Sequence, residues 1–485
     1  MTTTAEPPLS EILLAAKKAS TVLTSMSAAD RQAVIEKMAT NIERRSTEIL
    51  SANKHDLKRA EKMLEDGEIS RTMLDRLKLD EHKLSGMVTG IRQVASLPDP
   101  VGSITLAREL DDGLILYQVS APIGVIAVIF ESRPDVLPQI ASLALRSANV
   151  AVLKGGKEAR YTLTVLFECL QEALTGKGLP SQTLILLENR EQIDAILKAD
   201  GLVDLIIPRG SAELVRYIQD HTRIPVLGHS EGVCHLYIHE DANLEMAVAL
   251  AVDAKVQYPA ACNSVETILV HATAAGEMLP LIAKQLFEQN VQIRADNRAF
   301  DLISTAPEMP EELHGQLELR ESSEGDSESG STDDSNLVAA NSGSSETSSK
   351  SILIRANNED WTTEYSDLIV SVKVVDSLDE AIDHINQYGS NHTDTIVTAD
   401  ADVFEKFFKG VNSAGVFWNA SNRFADGFRY GFGAEVGIST NKLHPRGPVG
   451  LNGLVTYKYK LIGKGHVVAD YVGESAKTFT HRDII

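Results

Sequence analysis

Residues 125–135 read Val125-Ile126-Ala127-Val128-Ile129-Phe130-Glu131-Ser132-Arg133-Pro134-Asp135. The apolar run shows no polar alternation, so it predicts a strand covered on both faces, as in a parallel sheet flanked by helices. Runs of the same kind recur at 150–154, 184–187, 205–208 and 225–227. The stretches between them, such as 161–174 and 213–221, space their apolar residues helically. This alternation predicts βαβ units in a doubly wound parallel sheet.

Working outward, a second alternating set of strands is expected at 267–271, 291–294, 369–375, 394–398 and 415–419, with helices over 276–289, 378–387 and 404–409. That predicts a second α/β domain. Upstream, residues 8–100 read as helices, with Ile12, Leu13, Ala16 and Val22, then Val34, Ile35, Met38 and Ile42, at helical spacing. Two strands at 102–109 and 114–119 flank Asp111-Asp112-Gly113, a hairpin signal. The hairpin is either an ordinary surface feature or a subunit contact. The tail from 441 is rich in strand formers (Leu454-Val455-Thr456-Tyr457-Lys458-Tyr459) and is able to pair with it. The expected organisation is a first domain of 1–101 with 122–257, a second of 258–440, and a small β element of 102–121 with 441–485 for oligomer contacts. Residues 318–350 are dominated by serine, acidic residues and glycine and lack aromatics. Such a segment cannot bury enough surface to offset its ordering entropy and is expected to be disordered.

The 485 residues, 43% hydrophobic and 24% charged, are ordinary for a globular chain. No apolar run reaches the ~18 residues of a membrane span. A formal charge of −22 argues against nucleic acid and anionic membranes as partners. The start MTTTAEPPLS lacks the features of a secretory or transit leader, and Cys169, Cys234 and Cys262 form no disulfide framework. A reducing, cytoplasmic setting is expected, and no metal-ligand set is read from the sequence.

Chemistry concentrates in a few loops. Tyr258-Pro259-Ala260-Ala261-Cys262-Asn263-Ser264 places a cysteine among small residues just before a buried strand. It is either a nucleophile open to a carbonyl, with loop amides for the oxyanion, or a small buried hydrophobe. Leu205-Ile206-Ile207-Pro208-Arg209-Gly210-Ser211 reads as strand, tight turn and helix start, suited to a pyrophosphate. Val152-Leu153-Lys154-Gly155-Gly156-Lys157 offers a lysine for a ribose hydroxyl or an added phosphate. The usual G-x-G-x-x-G fingerprint is absent. Arg133, at a strand's carboxyl end, suggests an anion site. The glycine-rich stretch 418–437, with Asn419, Ser421 and Arg423, is suited to clasping an amino-acid head group.

Taken together, YPAACNSVETILVH, DLIIPRGS, VLKGGKEA, FESRPD, IPVLGH, FADGFRYGFGAEVGIST and HPRGPVGLNGL resemble the glutamate-5-semialdehyde dehydrogenase family, also called γ-glutamyl phosphate reductases, of the aldehyde dehydrogenase superfamily. The resemblance runs from about residue 10 to residue 480, broken by the acidic insertion. It implies an aldehyde-dehydrogenase-like α/β fold with two Rossmann-like domains, the first binding NADP(H) and the second catalytic. Cys262 would displace phosphate from L-glutamyl 5-phosphate to leave a thioester, and hydride from NADPH would lead to the semialdehyde, on the route to proline. The Cys262 amide, aided by Asn263 or Arg133, would hold the oxyanion. The resemblance assigns Lys154, Gly155, Arg209, Gly210 and Ser211 to the cofactor and Glu364 to its nicotinamide ribose. Asn419 and Ser421 would take the amino-acid head group, with Arg423 completing the anchor. His229, or Glu231 two residues on, stands near the position of the water-activating glutamate of hydrolytic members. A homo-oligomer and functional coupling to a separate glutamate 5-kinase are also implied. The alternatives are a hydrolytic semialdehyde dehydrogenase or a non-catalytic protein of this fold.

Overall fold

In the computed structural model, residues 7–485 are described except 132, 190, 230, 308 and 310–351. The expected disordered insertion at 318–350 lies outside the described residues. The chain divides into two units, Met1–Ser230 with Asp426–Ile485, and Glu231–Ala425.

In the first unit, Val125–Phe130 is buried along its whole length. Its even positions, Ile126, Val128 and Phe130, enter one apolar core, and its odd positions, Val125, Ala127 and Ile129, enter another. An all-apolar run with a side-chain period of two therefore forms a strand with helices on both faces. The sheet is parallel, in the order Leu184–Leu187, Val150–Lys154, Val125–Phe130, Leu205–Arg209. The strand expected at 225–227 shrinks to a single bridge between Ile206 and Val226. Pro225 has no amide to donate, so the ladder cannot extend through it.

Helices Leu9–Ser25, Ala28–Arg44, Ser46–Glu65, Arg71–Leu77 and Glu81–Ser96 precede the sheet, as the helical spacing predicts. Ser27 and Asp80 cap two of them by accepting from the amides of Asp30 and Lys83. The hairpin forms as Ile104–Asp111 and Leu114–Pro122, turning at Gly113 with φ 73°. The tail strand Val455–Ile462 pairs antiparallel with Leu114–Pro122, and Arg482–Asp483 pairs with Ile104–Asp111. Val455–Ile462 is thus an edge strand, with Tyr457, Tyr459 and Leu461 exposed.

The second unit holds a seven-stranded parallel sheet in the order Leu353–Arg355, Gln292–Ala295, Ile369–Val375, Val265–His271, Cys234–Ile238, Thr393–Val397, Gly415–Trp418. Separate apolar clusters cover its two faces. Two expected boundaries move. Cys234–Ile238 lies in this second sheet, so the unit begins at Glu231 rather than 258, and it ends at Ala425 rather than 440. A fully buried parallel strand reads alike in either sheet, because its pattern carries no information on which neighbours it joins. Among the described residues no helix is long and apolar enough to cross a membrane.

Candidate active site

In the second unit, helix Leu244–Val256 ends just before the cysteine loop, and strand Val265–His271 follows it. The loop winds tightly: Ala261 N donates to Tyr258 O at 3.2 Å, and Ser264 N to Ala261 O at 2.8 Å. The Ser264 hydroxyl returns to Ala254 O at the helix end, 3.2 Å away. Cys262 is partly exposed, while Cys169 and Cys234 are buried. Burial pushes the Cys169 thiol up to about 11 and the Cys234 thiol well above its usual range, so neither is disposed to ionise.

The backbone behind Cys262 is crowded. Cys234 Sγ contacts Cys262 O at 3.4 Å, and a Cβ at Gly232 would fall 2.2 Å from the same oxygen. Gly232 N donates to Glu364 Oε2 at 2.9 Å, which brings Glu364 to the nucleophile's backbone. Asn263, buried beside Cys262, donates from Nδ2 to Ala425 O at 2.8 Å, while its Oδ1 is buried without a hydrogen-bond partner. Its amide thus ties segment 419–425 to the nucleophile, a role in addition to the oxyanion contact expected of it.

Within that segment, Arg423 reaches the cysteine loop. Its Nε donates to Gln257 Oε1 at 2.9 Å, and its guanidinium lies 5.8 Å from the Tyr258 ring centre. Asn419, at φ 53°, joins its amide to both backbone groups of Thr398. Ser421 caps the turn by accepting from Arg423 N. Asn422 was not singled out by sequence, yet its Nδ2 bridges His235 O at 3.1 Å and Thr393 O at 2.9 Å on two neighbouring strands. Sequence reasoning also missed a pair beneath the nucleophile. Lys255 Nζ and Glu266 Oε2 are 2.7 Å apart with neither residue accessible to water. The signal was present: Glu266 is the single charge in an otherwise strand-like apolar run. Burial pushes its carboxyl up to about 7 and the Lys255 ammonium down, each opposed by the partner's charge.

Of the six expected cofactor residues, Glu364 belongs to the second unit, and the other five lie in the first, at the carboxyl edge of its parallel sheet. Lys154, at a strand end, is buried, and Nζ donates to Gly155 O at 2.5 Å. Burial lowers its affinity for a proton, with Glu158 opposing. Side-chain space is closed at Gly155, where a Cβ would meet Leu163 at 2.3 Å. Ser211 caps helix Ala212–His221 by accepting from Leu214 N. A Cβ at Gly210 would lie 2.5 Å from the Glu131 carboxylate and 2.7 Å from the Leu214 side chain, so glycine keeps this turn uncrowded. Arg209 donates from Nη1 to Glu435 O at 3.2 Å. Burial raises the Glu435 carboxyl, while the charges of Arg209 and Arg133 both oppose that shift. Arg133 itself is half exposed and pairs with Asp135 at 3.0 Å. His229 Nδ1 donates to Ile438 O at 3.0 Å, which fixes the imidazole's orientation.

The aldehyde dehydrogenase family model matches residues 3–434. A γ-glutamyl phosphate reductase from Synechococcus sp. (strain JA-2-3B'a(2-13)) is 49% identical over 478 residues, covering 98% of this chain and 94% of its own. The crystal structure of a γ-glutamyl phosphate reductase from Thermotoga maritima superposes with a TM-score of 0.82 at 33% identity, covering 95% of this chain and 100% of that one. A glyceraldehyde-3-phosphate dehydrogenase from Methanocaldococcus jannaschii, solved in complex with NADP, shares the fold at a TM-score of 0.61 and 16% identity, covering 94% of each chain.

Proposed function

The chain belongs to the aldehyde dehydrogenase family, and on that premise we propose that it works as a γ-glutamyl phosphate reductase, converting L-glutamyl 5-phosphate to L-glutamate 5-semialdehyde with release of phosphate. The observation that carries the mechanism is Cys262, the one cysteine of the chain left partly exposed, on a loop pinned from both sides. Its thiolate attacks the acyl carbonyl, the bond to the phosphate oxygen breaks, and a thioester remains. The Cys262 amide receives the oxyanion. Arg133 offers a charged fork to the departing phosphate. Arg423, anchored by Gln257, holds the glutamyl end, and Asn419 and Ser421 shape the segment that presents it.

Lys154, Gly155, Arg209, Gly210 and Ser211 fit a nicotinamide dinucleotide, because they stand at the carboxyl ends of two parallel strands and just before the N-terminus of helix Ala212–His221, and Glu364 fits its ribose. NADP(H) is the form proposed, and when bound it supplies the hydride that reduces the thioester carbon. Protonation of the resulting alkoxide and loss of the Cys262 thiol then give the semialdehyde. An acyl phosphate is already activated, so these residues need no water-activating base. The exposed edge Val455–Ile462 is proposed as a subunit contact, the cytoplasm as the setting, and a glutamate 5-kinase as the supplier of the labile substrate.

The test is reduction of NADP+ by glutamate semialdehyde with and without phosphate. A reductase run backwards requires phosphate or arsenate to cleave the thioester. Equal rates without either anion would instead establish a hydrolytic dehydrogenase.

A further inference from the structure

We propose that Lys255 and Glu266 are positioning residues for the hydride step, a reading that rests on the assignment of Glu364 to the cofactor ribose. Both side chains lie fully out of water, 2.7 Å apart, at the two ends of the loop that carries Cys262. An ion pair so placed rarely stabilises a fold more than apolar residues of the same size would, so stability alone does not account for it. What it supplies is direction. Glu266 Oε1 also accepts from Ser366 N at 3.4 Å, two residues beyond Glu364. Glu364 in turn accepts from Gly232 N, and Gly232 packs on the carbonyl of Cys262. Ser264 closes the other side by binding the carbonyl of Ala254, next to Lys255.

The contacts therefore form a closed circuit from the nucleophile through Gly232, Glu364, Ser366, Glu266 and Lys255 and back to its loop. The pair sets where the sulfur stands relative to the Glu364 carboxylate. Acyl transfer to Cys262 needs the sulfur, the oxyanion amide and the groups that hold the substrate, but not the cofactor. Hydride transfer additionally needs the carbon on that sulfur to be in line with the cofactor, so a slack circuit slows the second step and spares the first.

The experiment uses the full chain carrying Lys255→Met with Glu266→Leu, which replaces the pair by apolar groups, and Glu266→Gln as a volume-neutral second variant should the double variant not fold. Two rates are compared with the wild type. One is the rapid-mixing burst of NADPH from NADP+ and glutamate semialdehyde. The other is arsenolysis of L-glutamyl 5-phosphate generated in situ, run without cofactor, in which Cys262 takes the glutamyl acyl group as phosphate departs and arsenate then cleaves the thioester. The burst is expected to slow about thirty-fold or more, in keeping with a displacement on the order of 1 Å at a reacting centre. Arsenolysis is expected to stay within about three-fold, as for a substitution that leaves acyl transfer intact. A parallel fall of both rates would mean that the pair merely holds the loop together, and no change in either would remove the role altogether. A wild-type protein with neither the burst nor arsenolysis would overturn the proposed function itself, a separate outcome.

Discussion

The Glu131 carboxylate accepts a hydrogen bond from the Ser211 amide at 2.9 Å, at the head of helix Ala212–His221. An internal anion thus occupies the amide that the sequence alone would offer to a pyrophosphate. Glu131 is held at that height because its own amide donates to Arg209 O, across the ladder joining the two strands. A dinucleotide phosphate arriving there meets a like charge and must displace it. Glu131→Ala is therefore expected to tighten NADP+ binding about three- to five-fold, the worth of one carboxylate at a helix N-terminus. Titration calorimetry reads this directly, and weaker binding in the variant would mean that Glu131 supports the cofactor rather than opposing it.

Cys262→Ala should abolish turnover while NADP+ affinity stays near that of the wild type, because the dinucleotide residues of the first unit lie far from it in sequence. Residual activity above background would remove the covalent course. Cys169→Ala should cost packing alone, on the order of 1–2 kcal/mol, since its side chain is fully buried.

Gly232→Ala tests how tightly the nucleophile is held. The new methyl would fall 2.2 Å from Cys262 O, a separation no backbone tolerates, so the loop must shift. Turnover should fall roughly 10²-fold with the fold retained, in line with small misplacements elsewhere. Circular dichroism alongside kcat would separate this result from unfolding.

Arg133→Lys keeps the charge but loses the fork, and should lower turnover of the phosphate-dependent reverse reaction by roughly 10²-fold. The apparent phosphate affinity should weaken with it. Since Arg133 is half exposed and its ion pair with Asp135 is a local one, the substitution should leave Tm nearly unchanged. Unchanged phosphate dependence in both the lysine and alanine variants would make it a surface residue.

His384 gives a prediction for acid. Burial among Trp361, Tyr388 and His235 pushes its imidazole down to about 2, with the His235 charge adding to the effect. The unfolded chain then binds a proton through the window from about 6.5 towards 2 that the folded chain refuses, so stability rises with pH there and is lost as pH falls. One pH unit below 6.5 the cost is about 1.4 kcal/mol. His384→Phe should flatten the fall of Tm between pH 6.5 and 5. An equally steep fall in the variant would assign the acid lability to other groups.

The strands of the first sheet were legible because each is a short, mostly apolar run, a pattern that a two-sided core requires. In the second sheet Leu353–Arg355 was not expected, and Gln292–Ala295 and Thr393–Val397 carry polar residues. Which sheet each strand joins was not legible, and Cys234–Ile238 shows why: five buried residues satisfy either set of neighbours. The nucleophile and the Gly210 turn were also legible, since small residues there are demanded by backbone approach. The roles of Asn263 and Asn422 were hidden because an amide in a loop has no periodicity, and its partners, Ala425, His235 and Thr393, lie far away in sequence. Lys255 and Glu266 stand only eleven positions apart. Lys255 escaped notice because it sits inside a helix, where a charge reads as an exposed face, and without it the lone charge of Glu266 in a buried strand had no partner to name.

The pairing of Val455–Ile462 with Leu114–Pro122 has a consequence for how the chain is made. During synthesis the hairpin emerges hundreds of residues before its partner strand, and the whole of Glu231–Ala425 is translated in between. That intervening unit has its own sheet and cores, so it can condense while the hairpin still presents an open backbone edge. The nascent polypeptide thus carries a sticky ribbon through most of its time on the ribosome, and the late strand is the stitch that seals it.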